Sequence, residues 1–393
     1  MTERLYYRDA SLIEFDAQVI AHVGDAQHVV LDRTAFYPTS GGQPHDIGVL
    51  GSARVVDVVD EDTRIVHVVE GSVPIGAVRG AVDRARRHDH MQQHTAQHLL
   101  SALAGDRYKW ETASVHFGAE HSTIEFVTAT ASDRQLADLQ LWANAIVGEA
   151  RAVTVTFEDA AAADKAGLRK PSGRTGELRV IAIDGIDRSA CGGTHVARTG
   201  EIGAVLLTGI EKIRGHTRVG FLAGGRVLSH IRTADQTLAV LAGEFGCGVN
   251  QLEEIVAARQ VESKSLRDQL ARLEQEVAGA RARAMYEATA PSADGVRRIT
   301  HRASDEAATL LRLMAQGVGP LERTALVIIG AIPAALYFGT SADSGIDAGA
   351  LLKPALAAAG GRGGGSARVA QGTAPSAEAL EQVAAAVMVD RRR

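Results

Sequence analysis

Cysteine is almost missing from this sequence. Cys191 and Cys247 are the only two among 393 residues, too few for a disulfide framework, and a reducing compartment would keep Cys191 available as a thiolate. Long apolar runs are missing as well. The longest, at 325–339, is interrupted by Pro333 and is too short to cross a bilayer, and the opening Met-Thr-Glu-Arg-Leu-Tyr-Tyr-Arg-Asp is no apolar signal stretch, so a cytoplasmic protein without membrane partners is expected. Nor is positive charge in excess. Against 47 Asp and Glu, 42 Lys and Arg leave a formal net charge of −5, which argues against a generic polyanion binder. Apolar residues are plentiful, at 46% of the chain, enough for roughly two or three packed domains.

Two short motifs carry chemistry. His94 and His98, in His-Thr-Ala-Gln-His, are four apart and so lie on one face of a helix; Cys191 and His195 close the segment Cys-Gly-Gly-Thr-His. Three imidazoles and a thiolate form a ligand set suited to zinc. The residue after His94 is Thr95, not the glutamate that serves as base in His-Glu-x-x-His proteases, so peptide hydrolysis is not expected. Near these motifs the charge turns locally basic. The stretches 79–90, 169–179 and 211–226 each hold four Lys or Arg against two, one and one acidic residues, for sums of +2, +3 and +3, which points to a phosphate-bearing substrate.

The segment 5–82 is short-stranded, β-branched and alternating, as at 27–31, 53–59 and 64–69, and predicts a small β domain. Then 83–104 reads as a helix, with Asp83 as its N-cap and Gly105 at its C-terminal end. Strands are expected at 114–117, 122–127 and 179–183 and a helix at 134–153. Two glycines would cost a helix roughly 2 kcal/mol, so 191–195 is placed in a loop. Helices follow at 227–245 and 250–285, the second with a heptad seam through Leu252, Leu266 and Leu273 and through Val256, Leu270 and Val277; the short turn between them predicts a helical hairpin. After a linker at 291–295, buried strands at 325–331 and 334–339 and helices at 347–359 and 377–389 describe a separate α/β domain. Between those last helices lies Gly-Gly-Arg-Gly-Gly-Gly-Ser-Ala-Arg-Val-Ala-Gln-Gly, a glycine-rich loop able to wrap a phosphate.

The ligand pairs, taken with Thr34-Ala-Phe-Tyr-Pro-Thr-Ser-Gly-Gly-Gln-Pro-His-Asp46, resemble the editing half of alanyl-tRNA synthetase and, more closely, the free-standing long AlaX-type alanyl-tRNA editing proteins. The segment 363–371 is similar to the C-terminal domain shared by those synthetases and DHH-type phosphoesterases. The resemblance implies an α+β and α/β multidomain chain: a small β-barrel-like domain at 1–82, a zinc-containing α+β editing domain at 83–225, the helical hairpin at 226–290, and a C-terminal α/β DHH-associated-type domain with its Gly-rich loop at 291–393. It implies Zn2+ held by His94, His98, Cys191 and His195, and an amino-acid pocket around Thr34 and Gln43. In that pocket Thr34 would meet the hydroxyl of serine, while Gln43 would hold the ester or a water. Arg362 and Arg368 would contact tRNA, and the C-terminal region would serve tRNA affinity, homodimer formation or both.

The activity implied is a zinc-dependent aminoacyl-tRNA deacylase that removes serine, and to a lesser extent glycine, from tRNA for alanine. No adenylating domain precedes the motifs and no ATP-loop signature is present, so correction without aminoacylation is expected. Two alternatives remain open at this point: editing of seryl-tRNA for threonine, and a non-catalytic tRNA-binding protein that uses zinc structurally.

Overall fold

Every second side chain of the strand Glu14–His22 is buried through Val19: Phe15, Ala17 and Val19 turn inward while their neighbours face out. Five further strands repeat the pattern, and in the order Glu14–His22, His28–Leu31, Arg64–Glu70, Ala53–Glu61, Gly48–Leu50, Gly76–Val82 they close into a barrel. Closure leaves no strand edge unpaired. Phe36, Leu50, Val58 and Ile65 fill the interior. The structure, a computed structural model, describes residues 1–331 and 334–389 and separates into two compact units, 1–240 and 241–393. Pro333, expected to break the apolar run at 325–339, lies outside the described residues.

Directly after the barrel Asp83 accepts the backbone N–H of Arg86 at 2.9 Å and starts α1, Arg84–Tyr108. The expected stop at Gly105 is one turn early. Lys109 instead adopts a left-handed conformation (φ 59°) and its N–H closes the helix on Ala104 and Gly105. α1 buries Leu99, Leu100 and Leu103 with α2, Asp133–Gly148, against an antiparallel sheet ordered Val205–Ile213, His216–Ala223, Ser122–Phe126, Thr112–Phe117. A second, three-stranded sheet of Val153–Asp159, Glu177–Ile183 and Asp187–Ala190 ends at the Cys-Gly-Gly loop, and α3, Ala160–Lys165, follows its first strand. The unit boundary falls within α4, Gly225–Phe245.

The second unit is built on a mixed five-stranded sheet ordered Arg297–Arg302, Thr324–Ala331, Ala334–Thr340, Val369–Thr373, Arg362–Gly365. Along Thr324–Ala331 both faces are covered. Leu326 and Ile328 pack towards α6, Ala308–Gln316, while Ala325 and Val327 pack towards α7, Ala348–Ala358, and α8, Ala377–Val387. This explains a continuous apolar run instead of an alternating one. Before the sheet, α5 (Leu252–Ala288) buries only Ala278 and Ala282, and its seam residues Leu266, Leu270 and Leu273 remain exposed.

The glycine-rich segment is not a phosphate-wrapping loop. It forms the hairpin of Arg362–Gly365 with Val369–Thr373, where a Cβ on Gly363 or Gly372 would meet Leu356 of α7 at 2.5 and 2.2 Å. The glycines let a helix lie close on the strands. Arg362 and Arg368 are both exposed, and Arg368 also donates to the carbonyl of Ser341 at 2.5 Å.

Candidate metal centre

α1 presents His94 and His98 on one face, and the loop after Asp187–Ala190 brings Cys191 and His195 to them. The four ligand atoms lie within 4.8 Å of one another. Cys191 Sγ is 3.4 Å from His94 Nε2 and 3.4 Å from His195 Nε2. With metal–sulfur and metal–nitrogen bonds of about 2.3 and 2.0–2.1 Å, a tetrahedral ion would separate such atoms by about 3.6 Å, so the donor set fits a cation.

Each imidazole is fixed through its other nitrogen. His94 Nδ1 donates to Gln43 Oε1 at 2.8 Å and His98 Nδ1 donates to Asp187 at 2.9 Å. Thr95 gives its own proton to the Met91 carbonyl, so its hydroxyl oxygen accepts from His195 Nδ1 at 3.1 Å. All three Nε2 atoms therefore face inward, the orientation a metal ligand requires. Asp187 is itself held by Arg169 at 2.7 Å and by Ser189.

The electrostatics follow from burial. Burial alone would raise the Cys191 thiol, but His94 and His195 overcome it and hold the group well below the usual thiol range. Burial also opposes charge on His98, yet Asp187 and Cys191 outweigh it and raise that pKa to about 10; His195, buried and beside His94, drops to about 3. The cluster thus favours the thiolate, and a cation would displace the proton that His98 holds.

Two features explain the loop. A Cβ on Gly193 would stand 2.1 Å from His94 Cε1, so only glycine fits against the ligand ring. Arg179, 9% exposed and with no carboxylate partner among the described residues, donates Nη1 to the carbonyls of Cys191 and Gly193 at 2.7 and 2.9 Å and Nε to that of Tyr7 at 2.9 Å. Its guanidinium curls the loop back over the ligands. Burial lowers its pKa, and the neighbouring Cys191 thiolate favours the cation.

Gln43 belongs to this centre, where it braces the loop that carries Cys191 and His195. Oε1 accepts from His94 and from the Thr194 N–H at 3.1 Å, while Nε2 donates to Thr194 Oγ1 at 2.9 Å, so the amide clamps the loop to the ligand helix. Thr34 is not brought to the cluster. It is fully buried with the barrel; its hydroxyl donates to His67 Nε2 at 2.8 Å and accepts the Phe36 N–H at 3.1 Å. Burial lowers His67 to about 4, leaving it neutral and able to accept.

The segment 34–46 reaches α1 through a group that sequence reasoning missed. Asp46 and Arg87, both fully buried, form an ion pair, and Arg87 also donates to the carbonyls of Ala35 and Ala10. Asp46 lies in the quoted motif and could have been flagged. Asp187, Thr95 and Arg179 offered no signal beyond being polar. Among the described residues no helix is long and apolar enough to cross a membrane.

Residues 178–219, which include Cys191 and His195, match the threonyl and alanyl tRNA synthetase second additional domain, and residues 7–86 match tRNA synthetases class II (A). These are proteins of the tRNA-charging and editing class. The chain is 32% identical to alanyl-tRNA editing protein Aarsd1 of Danio rerio over 279 residues, 64% of this chain and 68% of that protein. It belongs to the alanyl-tRNA editing protein family. It is also 37% identical over 291 residues to alanine–tRNA ligase of Thermofilum pendens, covering 70% of this chain and 31% of the ligase. The chain thus spans about a third of that ligase's length. A crystal structure of the C-Ala domain from Aquifex aeolicus alanyl-tRNA synthetase matches 24% of this chain and 93% of that domain at 19% identity, with a TM-score of 0.21.

Proposed function

We propose that this chain is a zinc-dependent aminoacyl-tRNA deacylase that hydrolyses the ester of serine, and less readily glycine, on tRNA for alanine. The observation that carries this reading is the buried cluster of His94, His98, Cys191 and His195 in a chain of the alanyl-tRNA editing family. A mixed imidazole and thiolate set selects zinc over magnesium or calcium. When bound, zinc supplies Lewis acidity towards an ester carbonyl and lowers the pKa of water.

The chain's own residues prepare that chemistry. Gln43, Asp187 and Thr95 orient the three rings, Arg179 and Gly193 shape the loop that carries the thiolate, and Phe117 packs 5.1 Å from the His94 ring, closing one side with an apolar wall. No glutamate follows His94, so these side chains supply none of the protease base.

The test is a panel of seryl-, glycyl- and alanyl-tRNA for alanine and seryl-tRNA for threonine, each incubated with zinc-loaded protein. Many ester equivalents hydrolysed per chain, with seryl-tRNA for alanine fastest, is the expected result. Preference for seryl-tRNA for threonine would transfer the activity to the threonine system. Binding of tRNA without turnover would make the chain a tRNA-binding protein with a structural metal.

A further inference from the structure

The stretch 165–176, from the last residue of α3 to the strand Glu177–Ile183, contains Lys165, Arg169, Lys170 and Arg174 and no acidic residue, in a chain whose formal charge is −5. Lys165, Lys170 and Arg174 are exposed, and none has a carboxylate partner among the described residues. In the same unit Arg54 meets Glu70, Arg64 meets Glu61 and Arg79 meets Glu14, whereas Arg84, Arg134, Arg198 and Arg214 are exposed and, like the three cations of this stretch, lack a carboxylate partner among the described residues. The stretch is also fastened in place. The Ser172 N–H donates to Asp164 at 3.2 Å, the Arg174 N–H to Ser172 Oγ at 3.3 Å and the Arg169 N–H to the Arg188 carbonyl at 2.8 Å.

Arg169 differs from its three neighbours in pointing its charge inward. Its guanidinium bridges Asp106 at the end of α1 (2.9 Å) and Asp187 (2.7 Å), and the other oxygen of Asp187 holds His98 Nδ1 at 2.9 Å. Three cations therefore face solvent on a segment whose fourth is two hydrogen bonds from a metal-ligating ring. Fixed, unpaired cations beside a hydrolytic centre match a chain of phosphates.

We propose that residues 165–174 form an arm that grips phosphates of the RNA strand, and that Arg169 ties this arm to His98 through Asp187. This rests on the tRNA-editing reading above. The arm supplies affinity without reading sequence, since lysine and arginine on phosphate carry no base information.

The test uses the zinc-loaded full chain, uncharged tRNA transcript for alanine, and the double variant Lys170→Glu, Arg174→Glu. Two lost phosphate contacts should flatten the slope of log affinity against log salt by roughly 1.4 to 1.8 and weaken binding on the order of tenfold at 0.15 M salt. Zinc content should stay at the wild-type level. Arg169→Gln should instead speed zinc release to a chelator about tenfold or more, as loss of an outer partner does. If wild-type protein hydrolyses seryl-tRNA while the double variant keeps its affinity and salt slope, the arm is refuted and the editing reading stands. If the wild-type chain neither binds nor deacylates tRNA, the editing reading fails and the arm with it. An unchanged zinc release rate in Arg169→Gln overturns the tie to His98.

Discussion

A single methyl group placed at Gly193 should disable the metal centre. An alanine Cβ there would lie 2.1 Å from His94 Cε1, 2.3 Å from His94 Nδ1 and 3.0 Å from Gln43 Oε1. Carbon atoms in contact sit about 3.5 Å or more apart, so the ring and loop must separate by roughly 1.4 Å. Metal–ligand distances tolerate only about 0.2 Å. The movement also parts His94 from Gln43, and losing an outer partner alone weakens metal binding by about 10- to 100-fold, or about 1.4 to 2.8 kcal/mol. Gly193→Ala is therefore expected to lose at least 100-fold in zinc affinity, with a further cost of about 1 to 3 kcal/mol to the fold from overpacking. Gly192→Ala is the control, since its Cβ would meet Tyr7 Oη at an ordinary 3.6 Å. Chelator competition reads the zinc affinity of both variants, and urea denaturation of the metal-free proteins separates the packing cost. Wild-type zinc affinity in Gly193→Ala would refute the steric argument.

Four other outcomes follow from the same contacts. Gln43→Ala leaves the N–H groups of His94 and Thr194 without their acceptor and should lower zinc affinity about 10- to 100-fold by the same competition assay, with little change in tRNA binding. Arg87→Met strands the Asp46 carboxylate in the interior and should destabilise the fold by about 3 to 5 kcal/mol in chemical denaturation. Thr34→Val should cost about 1 to 3 kcal/mol of stability by unpairing His67, yet leave the serine-to-alanine ratio of kcat/KM unchanged; a narrowed ratio would return Thr34 to the amino-acid pocket. Buried His67 titrates near 4 against about 6.5 unfolded, so its stabilisation is complete above pH 6.5 and disappears as pH falls through 4, a loss of about 3 kcal/mol that His67→Gln should abolish from the acid limb.

The four clustered side chains were legible in the sequence because residue type and spacing state their chemistry directly. What surrounds them was not. Gln43 and Thr194 are 151 residues apart, His98 and Asp187 are 89 apart, and glutamine, threonine and aspartate are common surface residues, so only the fold reveals their pairing. The barrel strands and Thr324–Ala331 were readable from alternation and from a continuous apolar run. The glycine-rich segment misled because glycine signals both a flexible loop and a strand pressed by a helix, and sequence cannot distinguish an absent Cβ needed for freedom from one excluded by Leu356. Thr34 was legible as a motif residue, but its hydrogen bond to His67, 33 residues away, was not.

The outer partners of the cluster come from unlike parts of the chain: Gln43 from the loop leaving the barrel, Thr95 from α1, and Asp187 from the three-stranded sheet. The centre is therefore a joint where three parts of one compact unit are fastened, in the manner of a keystone. Neither the barrel nor the sheets alone carries a complete set of braces, so in any rearranged gene the stretch from residue 1 to about 223 has to move as one inheritance. A barrel transplanted without α1 would arrive with an unmatched Asp46, and a ligand helix transplanted without the barrel would arrive with a free-swinging His94.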